Sequence, residues 1–275
     1  MENNMKPCQE RRHDCPSHLY HYTSLQALTG IIQKRKLLFR GTRYDSMNDP
    51  VDYTFAADVV IPKVLLALGK EKNLNEEDTD YSEMYPYIVS FSENKDDELM
   101  WKHYGSDVSL EIDTSYFYPK YDINDKIKFF FDKCVYANEE ELITAFITKW
   151  QESIPFTNIP AIVQYACVYI KRDAFRRENE WRIFAADYRT GLMRKDGTFY
   201  ETEMPMDVKV SMIRGKDIIL YKEFEFPMEA LTGIIINDNN PSHFHKVKKH
   251  IQLLLIANGF PFEKIQIRQT NRYPL

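Results

Sequence analysis

The stretch ENEWR, residues 178–182, sets two carboxylates, Glu178 and Glu180, two positions apart at what reads as the entrance of a strand. On extended backbone, residues two apart share a face, so both carboxylates look to one side while Trp181 packs on the other. Two like charges on one side of a sheet edge are costly unless water or a ligand solvates them. Just upstream, IKRDAFRR brings Lys171, Arg172, Arg176 and Arg177 close in sequence. One reading is a pair of carboxylates that faces a ligand. The other is a solvated charged face with ordinary ion pairs. A second cluster, SFSENKDDELMWKHYG (90–105), puts Ser90 and Ser92 on one side of a strand end and follows them with Trp101, His103 and Tyr104. These residues suit either the rim of a pocket or the edge of a core. A third candidate is His21 in LYHYTS (19–24), at the end of a strand-like run just before a helix. A histidine there serves as a packed core residue, a metal ligand, or the first polar contact of a crevice.

Metal and nucleophile chemistry find less support. His18 and His21 stand three apart, and His243 and His245 two apart, but neither pair has a carboxylate or cysteine at ligand spacing and there is no HExxH. No metal is expected. No GxSxG and no glycine-rich phosphate loop occurs, and the chain has only 9 Gly. YDSMNDP (44–50) is either a turn of self-bonding side chains or a polar clamp that includes Tyr44 and Asn48.

The elements that would position these residues follow from patterning. Residues 19–23 read as a strand, Ser24 as an N-cap, and Leu25, Leu28, Ile31 and Ile32 as a helical stripe, with Lys34, Arg35 and Lys36 in the last turn. Strands are expected at 37–39, 85–93, 108–113, 126–136, 180–187, 207–213, 217–226, 231–237 and 264–269. RGKD (214–217) reads as a hairpin turn. Helical patterning covers 51–68, interrupted at Pro62, then a helix started by a capping box of Asn138 and Glu141, and another over 159–170. Ser242 is read as the cap of a long amphipathic helix, with Gly259 as its C′ glycine. Strands dominate both ends and helices the middle. That order predicts an α+β fold: a mainly antiparallel sheet core with flanking helices and helical insertions near 51–82 and 138–170. Residues 1–17 read as a loose arm ahead of a single domain, 18–275.

Composition sets outer limits. The chain has 275 residues, 44% hydrophobic, with net charge −5, so it is not a globally basic nucleic-acid binder and such a partner would need a local basic patch. The opening MENNMKPCQERRHDC has no apolar core, and no apolar run approaches the length of a membrane span. Cys8, Cys15, Cys134 and Cys167 form no CxxC pair and read as reduced thiols. A cytoplasmic protein is expected.

Taken in order, LYHYTS, YDSMNDP, VSFSE, MWKHYG and FRRENEWR resemble a large bacterial family, domain of unknown function twenty-nine seventy-one, over nearly the whole chain from about residue 19 to the final RYPL. More distantly, LYHYTSLQALTGIIQKRKLL resembles the first motif of the ADP-ribosyltransferase superfamily, and the opening is similar to that of DNA-modifying toxins of the DarT type. This resemblance implies a split sheet that grips NAD. It implies that His21 contacts the adenosine-side ribose and belongs to the catalytic set, with Tyr22 and Thr23 beside it in sequence as cofactor-binding residues. Ser90, Phe91 and Ser92 are similar to a Ser-x-Ser middle motif that shapes the nicotinamide pocket. Glu178-Asn179-Glu180 is similar to a Glu-x-Glu ending, with Glu180 in the principal catalytic place, stabilising oxocarbenium-like charge, and Glu178 polarising the acceptor nucleophile. The middle tyrosine of the His-type members has no direct counterpart, and Phe91, Tyr44 or Tyr104 would have to replace it; Asn48 and Trp101 are further candidates for cofactor binding. Arg182 and its neighbours would take the pyrophosphate or an anionic acceptor. The implied function is NAD-dependent ADP-ribosyl transfer, in a toxin or phage-defence role, with protein or nucleic acid as acceptor. The alternatives are a non-catalytic nucleotide or nucleic-acid binding module on the same fold, or a structural interaction protein.

Overall fold

The structure is a computed structural model, and it describes residues 15–47, 55, 85–104, 107–117, 129–136, 167–187, 192–193, 199–200, 209–213 and 217–270. Apart from residue 55, which is helical, the expected helices at 51–68 and 138–150 lie outside the described residues, as does Asn48. The elements run β1 (His18–Thr23), α1 (Leu25–Ile31), β2 (Ile32–Gln33), β3 (Lys36–Arg43), β4 (Tyr85–Ser92), α2 (Glu98–His103), β5 (Val108–Asp113), β6 (Phe130–Lys133), β7 (Val135–Tyr136), β8 (Ile170–Lys171), β9 (Glu180–Asp187), β10 (Leu192–Met193), β11 (Phe199–Tyr200), β12 (Lys209–Ile213), β13 (Asp217–Pro227), β14 (Leu231–Asn237), α3 (Pro241–Ala257) and β15 (Gln266–Thr270). Pairing is mainly antiparallel, as an α+β fold requires; β7 with β8 and β14 with β15 are parallel.

The chain divides into two units. The first holds residues 1–38, 91–120 and 225–275. There β1 lies antiparallel to β5, in register from His18 opposite Asp113 to Thr23 opposite Val108, and touches β4 through Tyr20 opposite Ser92. β5 pairs in turn with β14 across a bulge between Leu231 and Gly233. At Gly233 a β-carbon would sit 2.9 Å from Glu111 Oε2, so glycine leaves the gap through which Glu111 reaches Arg268 on β15. α3 lays Phe244, Val247, Ile251 and Leu255 into the core, the 3.6-residue stripe its sequence promised. The second unit holds residues 39–90 and 121–224. There β6 pairs with β9, from Phe130 opposite Phe184 to Lys133 opposite Trp181, and β12 forms a hairpin with β13 closed by Ile213 opposite Asp217.

Several boundaries differ from the sequence reading, each for a local reason. Ser24 caps α1 as expected, accepting from Ala27 N at 3.1 Å. But α1 stops at Ile31, and Lys34–Arg35 turn a hairpin in which Gln33 opposes Lys36. Ile32 is already extended, φ −83 and ψ 103, so the helix ends before its expected basic last turn, and Arg35, φ 58, makes the hairpin turn. Asn240, not Ser242, caps α3: its side chain accepts from Ser242 N and His243 N, and Pro241 fills the first helical position. Gly259 does follow the helix in a left-handed conformation, φ 77. Residues 15–17, expected to be loose, are held: Thr114 Oγ1 donates to Pro16 O at 2.5 Å and Thr114 N to Ser17 O at 3.0 Å. Over 159–170, the described part is helical at 167–169 and then becomes β8.

Candidate functional site

In the second unit, the two carboxylates meet, though not by strand alternation. Glu178 ends a 3-10 helix, Asp173–Glu178, and Glu180 begins β9. Asn179 between them is left-handed, φ 44, ψ 54, a conformation asparagine tolerates better than other side chains with a β-carbon. That reversal brings both carboxylates onto one ammonium: Lys171 Nζ donates to Glu178 Oε2 at 2.6 Å and to Glu180 Oε2. Arg182, two residues along β9, donates through Nε to Glu180 Oε1 at 2.8 Å and through Nη2 to Oε2 at 3.3 Å. Its remaining Nη1 donates to Val168 O at 2.5 Å. All four charged side chains are buried, Glu180 at 5% exposure. The two acids and two bases cancel in formal charge.

A ring of aromatic and backbone groups closes around them. Tyr136 OH accepts from Glu180 N at 3.3 Å, and Tyr169 OH donates to Arg182 O at 3.1 Å. Lys171 and Arg172 each lie 4.9 Å from the Phe175 ring, and Arg176 lies 5.4 Å from that of Tyr136. Trp181 points away into packing, fully buried, with its ring stacked on Phe131 at 5.1 Å. Burial would raise the Glu180 carboxyl, but the Arg182 guanidinium and the Lys171 ammonium outweigh it and hold the group at about 2. Burial would lower Lys171, and its attraction to Glu180 reverses the direction, so its ammonium is held above the usual range. Burial likewise pushes the Tyr136 phenol up. A buried cation, rather than water or a ligand, meets the paired carboxylates. Tyr136, Tyr169 and the conformation of Asn179 were missed by sequence reasoning. The one usable signal was the asparagine between two acids, a residue suited to a reversal.

In the first unit, His21 leaves β1 half-buried, with its ring 5.5 Å from that of Phe91 at 53°. Phe91 in turn packs on Phe117 at 4.7 Å, and Phe117 on Phe226 at 5.0 Å. The first and middle motifs are therefore in contact: a polar ring rests on an aromatic platform backed by the core. Tyr22 and Thr23 are buried. Tyr22 OH donates to Asn94 O at 2.7 Å and accepts from Asp97 N at 3.2 Å, and its ring meets Trp101 edge-on at 4.7 Å. Burial raises this phenol as well.

The SENKDDELMW run is held by its own side chains. Ser92 Oγ accepts from Asn94 N at 3.0 Å, Asp97 caps α2 through Leu99 N and Met100 N, and Asp96 accepts from the Trp101 indole at 2.7 Å and from Thr270 at 2.8 Å. Trp101 is buried, while Tyr104, at the end of α2, is exposed. Ser90, half-buried on β4, and Tyr44, in the 3-10 helix Tyr44–Ser46, belong to the second unit. Within each unit, then, the structure brings His21 to Phe91 and Glu178 to Glu180 and Arg182. Among the described residues, no three His, Cys, Asp or Glu side chains are grouped to hold a metal ion, and no helix is long and apolar enough to cross a membrane.

Residues 100–183 match a family described as Protein of unknown function (DUF2971). The match is shorter than the motif series suggested. It contains Trp101, Tyr136, Lys171, both carboxylates and Arg182, and excludes His21 and the Ser90–Ser92 segment. No curated protein and no solved structure matches the chain.

Proposed function

We propose that this chain binds NAD and transfers ADP-ribose from it, as a protein of the ADP-ribosyltransferase type. The observation that carries the reading is the His21–Phe91 contact. Two segments far apart in sequence, each similar to a motif of that superfamily, set a half-buried imidazole of β1 against a buried aromatic ring. An imidazole so placed can hydrogen-bond a ribose hydroxyl while its position is fixed by packing. NAD supplies a ribose that gains positive charge as nicotinamide leaves. A carboxylate kept ionised in a preorganised, water-poor setting lowers the barrier to such charge. Glu180 is kept ionised by Lys171 and Arg182, and Glu178 shares the same lysine. A toxin or phage-defence role, and a cytoplasmic place of action, rest on the resemblance alone.

A second reading is favoured by one specific observation. Both oxygens of Glu180 are already taken by buried cations. A carboxylate so neutralised suits a structural role, and the chain would then be a nucleotide-binding module without turnover. One experiment separates the two: incubate the pure protein with NAD labelled in its adenylate half, together with cell lysate, and follow the label. Transfer that disappears with Glu180→Gln supports the transferase. A ligand-induced rise in melting temperature without transfer supports the binding module, and neither result removes both.

A further inference from the structure

We propose that the outward face of α3 is a docking surface for the phosphate backbone of a nucleic acid. This inference stands on a different part of the molecule from the NAD reading and does not depend on it. α3 spans Pro241–Ala257 and contains no Asp or Glu, although the chain as a whole carries net charge −5. With its apolar stripe turned into the core, Lys246 and Lys249 are left on the opposite side, flanked by His245 and His250, all four exposed. Residues three apart on a helix are neighbours, so the two ammonium groups form one positive strip rather than scattered charges. Lys248 sits at the margin, its ammonium 5.8 Å from the Phe244 ring.

Phosphate is the complementary partner for such a strip, since neutralising it releases counterions. The flanking imidazoles add flat surfaces on which an unpaired base can stack. An anionic membrane is less well matched. A helix that lies in a lipid interface needs a wide apolar face free to enter it. Here that face is spent on the core, and only Leu253 and Ile256, 54% and 50% exposed, project near the C-terminal end.

The test uses fluorescence anisotropy of a labelled mixed-sequence single strand of about 20 nucleotides, titrated with the full chain between about 50 and about 200 mM salt. Wild-type protein is expected to bind with an affinity that falls as salt rises. Lys246→Gln with Lys249→Gln should weaken binding about tenfold and flatten the log–log salt slope by about 1.4, the value for losing two phosphate contacts to a single strand. Lys246→Arg with Lys249→Arg keeps the charge and should keep the binding. Circular dichroism and melting should be alike for all three, because the residues are exposed. The proposal is overturned if wild-type protein shows no saturable binding, if the double glutamine variant binds as the wild type does, or if the chain binds vesicles of phosphatidylcholine and phosphatidylserine but not the oligonucleotide.

Discussion

The carboxylate cluster of the second unit and the histidine patch of the first are both rich in side chains that do chemistry in other settings, yet they satisfy those groups in opposite ways. Around Glu180 every strong charge finds an internal counter-charge: Lys171 bridges two acids, Arg182 clamps one of them, and tyrosines and backbone groups take most of the remaining valences. Around His21 one neighbour is an aromatic ring, that of Phe91, and the side chain is only half-buried. The difference teaches how to read a polar motif. A cluster that is buried and charge-balanced is costly to disturb and contributes first to the fold; a polar ring that is only half covered is cheaper to change.

The largest expected effect comes from breaking the cluster at its centre. Lys171→Met leaves Glu178 and Glu180 buried with Arg182 as the main cation, and should cost about 3–5 kcal/mol, the usual penalty for stranding a buried charge. Urea unfolding measures this directly. A loss under about 1 kcal/mol, the range of an exposed pair, would place the cluster in water after all.

Acid sharpens the same contrast. The Glu180 carboxyl is depressed from 4.5 to about 2 in the folded chain. A depressed acid contributes stability that is complete above its unfolded value and is lost as pH falls through its folded one. Stability should therefore decline from about pH 4.5 towards pH 2, by roughly 3 kcal/mol for this group. In Glu180→Gln that part of the decline should vanish. Equal acid profiles for the two proteins would show that the carboxylate is not held by its cations.

A smaller effect is expected at Asn179. Replacement by Val puts a β-branched side chain at φ 44 and should cost about 1–2 kcal/mol, while Asn179→Gly should be close to neutral because glycine enters that region freely. Thermal melts of the two variants check it, and a tolerated valine would mean that the reversal between the acids is not demanded by the fold. At the other end of the scale, His21→Ala should change stability by about 1 kcal/mol or less, since the ring is half exposed and its neighbours Phe91 and Phe117 remain packed.

How far these contrasts were legible in the sequence depends on the range of the forces involved. β1, the Ser24 cap and the buried stripe of α3 could be read because they follow from local spacing and from one side chain bonding its own backbone. The end of α1 could not: Lys34, Arg35 and Lys36 look like a helix end, and only pairing of Ile32 with Leu37 turns them into a hairpin. The cap of α3 was misplaced by two residues because Asn240 and Ser242 are both able caps, and Pro241 decides between them. Glu178 and Glu180 were rightly paired but for the wrong geometry, period two in place of a left-handed residue. That Lys171, seven residues before Glu178, would be their common partner depends on β8 lying beside β7, a contact no periodicity reveals. Likewise Asp96 could be seen as a turn residue, but not as the acceptor that ties Trp101 to Thr270.

The most direct test of the account is release of free nicotinamide from NAD by the purified chain, measured side by side for the wild type and His21→Ala with the folded fraction of each confirmed by melting. Release is expected from the wild type, with at least a tenfold loss in the folded His21→Ala protein, the size of one lost hydrogen bond of about 1.4 kcal/mol. Equal release by the two proteins, or no release and no NAD-induced stabilisation in the wild type, would contradict that expectation.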